Sequence, residues 1–286
     1  MDWIGKKVLV LGSTGFIGQV LVSFLLSQGS IVTGISRNSF RLDNPNYNHI
    51  IIRSADKIEL DNYKYIFHLA GNKEITLEDP GKNIIDFTKV ILASLKEPTK
   101  TVFIFSSSCS VYGESSNGPI DEGQKPMPIS VYAQSKLLVE KTIFDFAKKN
   151  KMRATVARIF NVYGENEKTS IISKMIKSLT DKTAFSLDSG LVRDFIHVED
   201  LISGLLHLAE NGDYGVYNLG TGVGTNLGEL RNLIEKAFNG KIQVNPVCNV
   251  QIRNSVANIK KIEKSGWYPV VNLGESLKIL NKELIN

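Results

Sequence analysis

The chain has 286 residues, 42% hydrophobic and 22% charged, which excludes bulk disorder and leaves room for one large domain or two small ones. Its net charge of +5 suits an anionic small ligand, and the absence of a long Lys/Arg run gives nucleic acid no footing. Two cysteines far apart and four histidines without ligand spacing exclude a disulfide framework and a zinc pattern.

No stretch reaches the ~18 apolar residues of a membrane span. The early apolar run Val8–Leu11 is broken by Gly12 and lacks a small-residue cleavage site, so it does not read as a signal peptide. The expectation is a cytoplasmic, reduced protein with no membrane partner.

Along the chain, short apolar runs alternate with helical periodicity. Lys6–Leu11 reads as a buried strand and Phe16–Gln28 as a helix, with Ile17, Val20, Leu21, Phe24 and Leu25 on one stripe. Gly29 stops that helix, and strands follow at Ile31–Ile35, Ile50–Ile52 and Tyr65–Ala70. Asn83–Leu95 reads as a helix, Thr101–Phe105 as a strand, Val131–Lys149 as a long helix and Arg153–Ile159 as a sixth strand. Continuous apolar strands alternating with helices predict an α/β fold, a parallel sheet covered on both faces.

After Gly164 this rhythm breaks. Helices are expected near Ser170–Leu179, Leu201–Glu210, Leu227–Phe238 and Gly274–Leu284, mixed with short strands at Asp194–Val198, Val216–Leu219 and Ile242–Val244. The predicted architecture is a Rossmann-type doubly wound sheet, residues 1–165 plus about 193–221, with a smaller, mostly helical lobe, about 166–192 plus 222–286.

Three glycines, Gly12, Gly15 and Gly18, form GSTGFIG between the first strand and the first helix. This spacing suits a dinucleotide. Gly12 allows a tight turn, Gly15 lets a pyrophosphate approach, Gly18 lets the helix pack on the strand, and the helix N-terminus holds the phosphate charge. The second strand ends in Arg37, where an acid usually binds the ribose of NAD, and an Arg there favours the 2′-phosphate of NADP.

At the start of the long helix stands YAQSK. Tyr132 and Lys136 lie i, i+4 on one face, and a Lys cation beside a Tyr favours the phenolate, making Tyr132 a candidate acid or base near neutral pH. Upstream, Ser106, Ser107 and Ser108 close the fifth strand, with Ser106 and Ser107 reading as a polar strand end.

These motifs, in order with HLAG (His68–Gly71), SSSCSVYG (Ser106–Gly113), ARIFNVYG (Ala157–Gly164), RDFIHVEDL (Arg193–Leu201) and the tail NSVANIKKIEKSGWYP (Asn254–Pro269), resemble the extended short-chain dehydrogenase/reductases, the NAD-dependent epimerase/dehydratase group acting on nucleotide sugars. The resemblance covers nearly the whole chain. It implies catalytic roles for Ser108, Tyr132 and Lys136. It implies cofactor contacts at Gly12, Thr14, Gly15, Phe16, Ile17, Gly18, Arg37, Leu69, Ala70, Gly71 and Ser106, as well as Tyr132 and Lys136. Substrate contacts are implied at Ser108, Ser110, Tyr132, Asn161 and Arg193.

The family's helical Asn matches Asn83. Lys73 resembles a cofactor-contacting Lys and reads equally well as a surface residue. Arg253 lies within reach of a substrate role, though its spacing to Asn258 departs from the familiar pattern. Arg193 reads alternatively as an ion-pair partner of Asp194 or Glu199. In the 4,6-dehydratases of the family the catalytic Thr is followed by Asp and Glu; here Cys109 and Ser110 stand there, and neither replaces a carboxylic acid. In the GDP-fucose-synthase type a Cys sits two after the Ser, so Cys109 is one residue off and reads as a small buried residue.

The expected function is hydride transfer between NADPH, with NAD possible, and a nucleotide-activated sugar. The favoured reaction is reduction of a C4 keto group of an NDP-4-keto-6-deoxyhexose for surface polysaccharide. An NDP-sugar 4-epimerase of the UDP-galactose type stays open, as does a non-enzymatic dinucleotide sensor or RNA-binding relative. Apolar residues spread beyond one stripe on the helices at Asn83–Leu95 and Val131–Lys149 carry the expectation of a homodimer through these helices.

Overall fold

The computed structural model describes residues 2–52, 60, 63–71, 82–113, 118–188, 190–211, 214–247 and 253–285, with the backbone alone at 82, 83 and 283–285. The first half builds β1 (Lys7–Leu11), α1 (Phe16–Ser27), β2 (Ile31–Ser36), β3 (Tyr47–Ile51), β4 (Tyr65–His68), α2 (Lys82–Ala93), β5 (Val102–Ser108), a 3-10 turn Cys109–Tyr112, α3 (Val131–Asn150) and β6 (Arg153–Ile159). The second half adds β7 (Asn161–Tyr163), α4 (Ile171–Thr180), β8 (Phe185–Asp188), β9 (Leu191–His197), α5 (Val198–Asn211), β10 (Gly215–Leu219), β11 (Gly224–Asn226), α6 (Leu227–Phe238), β12 (Val244–Val247), β13 (Arg253–Ser255), α7 (Lys260–Glu263) and α8 (Leu273–Ile285).

Seven strands form one sheet in the order β10-β6-β5-β4-β1-β2-β3. The pairings β1–β2, β1–β4, β2–β3 and β4–β5 are all parallel. Strand order reverses at β1, with β2 on one side and β4 on the other. This is the doubly wound Rossmann arrangement, whose switch point lies between the C-terminal ends of β1 and β4. Every residue of β4, and the last four of β1, are buried, as a sheet covered on both faces requires.

The chain divides into two compact units: Met1–Gly113, Pro126–Arg158 and Leu205–Tyr217 in one, Glu114–Lys125, Ile159–Gly204 and Asn218–Asn286 in the other. The core of the first joins Leu9, Leu11, Phe103 and Phe105 of the sheet to Ile91 and Leu92 of α2 and Val139 and Ile143 of α3. The second has its own core, with Tyr163, Ile172, Met175, Phe195, Leu230, Ile234 and Leu277. Helices outweigh strands in the second unit, but β9 also gathers β7, β11 and β13 into a small sheet, and β12 pairs with β8.

The departures from the sequence expectation have local causes. β3 begins at Tyr47 rather than Ile50, because its first residues are half-exposed at the sheet's edge and carry no apolar run. The strand expected at Ile242–Val244 forms instead at Val244–Val247. Ile242 is buried in the second core, and its N–H donates to Glu235 Oε1 (2.9 Å) rather than to a ladder. The three- and four-residue strands β7, β8, β11 and β13 were not anticipated, being too short to show periodicity.

Candidate active site

The switch point is where the glycine motif lies. Leu11 and His68 are register partners at the ends of β1 and β4, so Gly12 and Leu69 are the next residues on neighbouring strands. The Leu69 N–H donates to Leu11 O at 2.9 Å. Gly12 has φ +81, and a Cβ on it would stand 2.7 Å from Ala70 N. A Cβ on Gly18 would run into the Gly12 carbonyl oxygen, so only glycine lets α1 sit this close to the turn. Gly15 is the N-cap of α1 and offers no side-chain cap. The first-turn N–H groups around Phe16 and Ile17 are thus left for an anion. Thr14 uses its carbonyl to accept from Gln19 Nε2 (2.8 Å).

The second half of the site in this unit is built by β5 and α3. Ser130 caps α3, its hydroxyl accepting from Ala133 N at 3.1 Å, so Tyr132 and Lys136 fall in its first two turns. Lys136 is buried and donates to Ser106 O (2.8 Å) and Ala70 O (3.5 Å). Its Nζ stands 4.8 Å from the Phe105 ring centre and 5.8 Å from that of Tyr132. A Cβ on Gly71 would lie 2.7 Å from this ammonium group, so Gly71 keeps the space for it. Ser108 closes β5 and caps the turn Cys109–Tyr112, its Oγ accepting from Ser110 N (3.2 Å) and Ser110 Oγ (2.9 Å). The same hydroxyl neighbours Tyr132 and acts to lower its pKa. Ser106 turns its hydroxyl inward to His68 O (3.2 Å), so its side chain is occupied within the sheet.

Electrostatics here run against the sequence expectation. Tyr132 is pushed up to about 12, chiefly by burial and then by the neighbouring Cys109, with the Ser108 hydrogen bond acting the other way. Lys136 is lowered to about 7 by burial, which Glu140 partly offsets. Lys136 therefore does not hold Tyr132 near neutrality in this state: its own charge is disfavoured by the dry site that surrounds it. His68 is wholly buried and lowered to about 3, by burial first and Lys136 second.

Of the residues expected on the substrate, Asn161 and Arg193 lie in the second unit. Asn161 Nδ2 donates to Asp194 O at 2.8 Å. Arg193 donates Nη1 to Val192 O (3.0 Å) and Arg253 O (3.2 Å), through the parallel β9–β13 pairing. Asp194 does not pair with Arg193; its carboxylate accepts from Thr221 N, Thr221 Oγ1, Gly222 N and Ala257 N. Arg253 is ion-paired with Asp188. The Asn83 side chain, Lys73 and Cys248 lie outside the described residues.

Comparison with known proteins gives the family. The family described as "NAD dependent epimerase/dehydratase family" matches residues 8–220. The chain belongs to this family. It is similar to a UDP-glucose 4-epimerase of Rhizobium leguminosarum bv. trifolii, 28% identical over 96% of each chain. Among solved structures it is similar to a UDP-glucose 4-epimerase with UDP-glucose from Thermotoga maritima, with TM-score 0.85, 27% identity and coverage of 98% of this chain and 100% of that one. It is also similar to a UDP-N-acetylglucosamine 4-epimerase of Methanobrevibacter ruminantium in complex with UDP-N-acetylmuramic acid, with TM-score 0.86, 26% identity and 99% coverage of each chain.

The cofactor in the family's name fits these residues. The uncapped N-terminus of α1 and the glycine turn suit a pyrophosphate, while Lys136 stands beside the turn with two carbonyls for its three N–H groups. Arg37 is exposed and makes no hydrogen bond or ion pair among the described residues. It gives NADP no built site, and the expected preference for NADP is not supported.

Two buried residues around the site, Glu140 and Arg158, escaped sequence reasoning, and Ser107, read as a polar strand end, joins them. The Ser107 hydroxyl donates to Glu140, and Arg158 is ion-paired with Glu140 Oε2 at 2.7 Å. The signal was present. Glu140 continues the Tyr132–Lys136 spacing by another four residues, and Arg158 interrupts an apolar strand. Among the described residues no helix is long and apolar enough to cross a membrane, and no acid, His and Cys cluster could hold a metal.

Proposed function

We propose that the protein is an NAD-dependent 4-epimerase of a UDP-linked sugar. The observation that carries this reading is the meeting of Ser108, Tyr132 and Lys136 beside the glycine turn at the sheet's switch point. The three relatives above, each bearing the name of a 4-epimerase and each aligned over nearly the whole chain, favour it over the 4-keto reduction expected from Arg37. Cys109 and Ser110, where a 4,6-dehydratase needs an Asp and a Glu, speak against dehydration.

When bound, NAD supplies a reversible hydride acceptor for a sugar carbon. Tyr132 takes the proton of the sugar hydroxyl as that carbon is oxidised and returns it on reduction. Ser108 donates a hydrogen bond to the same oxygen, countering its developing negative charge. Lys136 adds a local positive charge that favours the Tyr132 phenolate at the moment of transfer. Asn161 and Arg193 hold the nucleotide diphosphate, for which a guanidinium fork is well matched.

The test incubates purified protein with UDP-glucose and follows UDP-galactose with no cofactor added. Interconversion supports the reading. Stoichiometric consumption of added NADPH with a nucleotide-linked 4-keto-6-deoxysugar, and no interconversion, overturns it in favour of a reductase. The same reading includes a homodimer through α2 and α3, where Leu138 is 51% exposed and Ile85, Phe87 and Val90 are half-buried. Light scattering that finds a monomer at micromolar concentration refutes the dimer.

A further inference from the structure

A buried ion pair lies directly behind the Tyr132–Lys136 pair. Glu140 follows Lys136 by one helical turn, so Tyr132, Lys136 and Glu140 run along one face of α3. Lys136 and Glu140 are each only 3% exposed. Arg158, 4% exposed, reaches Glu140 from β6 with two bonds, Nε to Oε1 (3.2 Å) and Nη2 to Oε2 (2.7 Å). Ser107, next to Ser108 on β5, donates its hydroxyl to the same carboxylate. The Arg158 guanidinium also stacks over the Tyr112 ring, 4.6 Å from its centre, at the end of the turn that Ser108 caps. Glu140 thereby links α3, β5 and β6, and through Arg158 the turn beyond β5; Tyr132, Lys136 and Ser108 ride on the first two.

We propose that Glu140 is a positioning residue for the active site: its carboxylate, held by Arg158 and Ser107, keeps the Lys136 ammonium charged in a site that otherwise expels charge. This rests on the assignment of Tyr132 and Lys136 as the acting pair. An ammonium without water loses its proton unless a negative charge lies close by. Among the described residues, the groups facing Lys136 leave that role to Glu140. From β4 there is neutral His68, from α3 the un-ionised Tyr132, from the turn after β5 the thiol Cys109 beside Tyr132, and from β5 and β4 the uncharged carbonyls of Ser106 and Ala70. Glu140 raises the Lys136 pKa against the burial that lowers it. Arg158 and Ser107 hold that carboxylate in place from β6 and β5.

The test reads the lysine directly. The full-length protein is labelled with [13Cε]-lysine, Lys136→Arg identifies the resonance, and its midpoint is followed by NMR against pH. In wild type the midpoint lies far below that of an exposed lysine. In Glu140→Gln it falls by about 1 pH unit or more, and in Glu140→Asp, which keeps the charge, it stays near wild type. Should Glu140→Gln fail to fold because Arg158 is stranded, Glu140→Gln/Arg158→Leu removes both buried charges and still lacks the carboxylate, with the same downward shift expected. A midpoint unchanged in the folded variant lacking the carboxylate overturns the proposal. The alkaline limb of kcat for sugar interconversion should move down with the midpoint while KM holds. If the resonance shifts and no variant, wild type included, interconverts sugars, the proposed reaction fails while the positioning role stands.

Discussion

Two buried charged groups, one in each unit, show how differently a protein can use burial. Asp194 sits on β9 wholly enclosed, and four donors from Thr221, Gly222 and Ala257 converge on its carboxylate. Lys136 is enclosed almost as fully, yet among the described residues it meets two backbone carbonyls and the rings of Phe105 and Tyr132, and Glu140, one helical turn on, is committed to Arg158. A buried ion whose bonds are complete fixes loops in place, and the four donors on Asp194 work against the burial that raises its carboxyl above the ordinary value. A buried ion left short of partners has a labile proton, which is what proton transfer to and from a sugar oxygen needs. Asp194 is architecture, and Lys136 is poised for chemistry.

The largest expected effect removes a single oxygen on the chemical side. Tyr132→Phe should lower turnover by about 10²–10⁴ with little change in melting temperature, and Ser108→Ala by about 10²–10³. Steady-state kinetics beside thermal unfolding checks both. A fully active Tyr132→Phe would put the acid elsewhere.

The mirror-image change is Asp194→Ala, which strands donors at Thr221, Gly222 and Ala257. It should cost about 3 kcal/mol or more of stability, measured by urea unfolding. A cost within the range of a surface substitution would dissolve the contrast with Lys136.

His68 sharpens the comparison on the pH axis. Its Nε2 is paired with Thr88 Oγ1 at 2.8 Å, and the Thr88 hydroxyl in turn donates to Ile84 O. The imidazole is therefore the Nε2–H tautomer and neutral, with Nδ1 unpartnered among the described residues. The unfolded chain binds a proton at this residue from about pH 6.5 downward, while the folded chain resists until about 3. Stability supplied by neutral His68 is whole above that window and is lost as pH falls through it, by up to about 1.4 kcal/mol per pH unit. His68→Gln, which keeps a donor for Thr88 and does not titrate, should flatten the acid limb of a stability–pH curve. An unaltered limb would show that other groups govern acid unfolding.

The smallest effect is expected at Arg37. As an exposed residue with no partner among the described residues, its replacement by Ala should leave stability within about 0.5 kcal/mol and leave interconversion without added cofactor unchanged. A switch of nucleotide requirement in Arg37→Ala would restore the NADP reading.

The sequence by itself determined the sheet and the motif-bearing ends of its strands. Apolar residues fill β1 after Lys7 and the first four positions of β5 and dominate β2, β4 and β6, because a doubly covered parallel sheet leaves no polar face, and such a run is visible without knowing its neighbours. Glycine at 12, 15 and 18 and the Tyr132–Lys136 spacing were equally legible, since each is a local requirement of one turn or one helical face. Strand pairs as short as β7, β11 and β13 were not, because their ladders are completed by β9 and leave no period in three residues.

The proton affinities were decided by tertiary structure alone. Adjacency of Tyr132 and Lys136 predicts a lowered Tyr, whereas enclosure by β4, β5 and α3 raises Tyr132 and lowers Lys136, since burial penalises either charged form. The meeting of Ser107, Glu140 and Arg158, which lie far apart along the chain, likewise came from packing β5, α3 and β6 side by side.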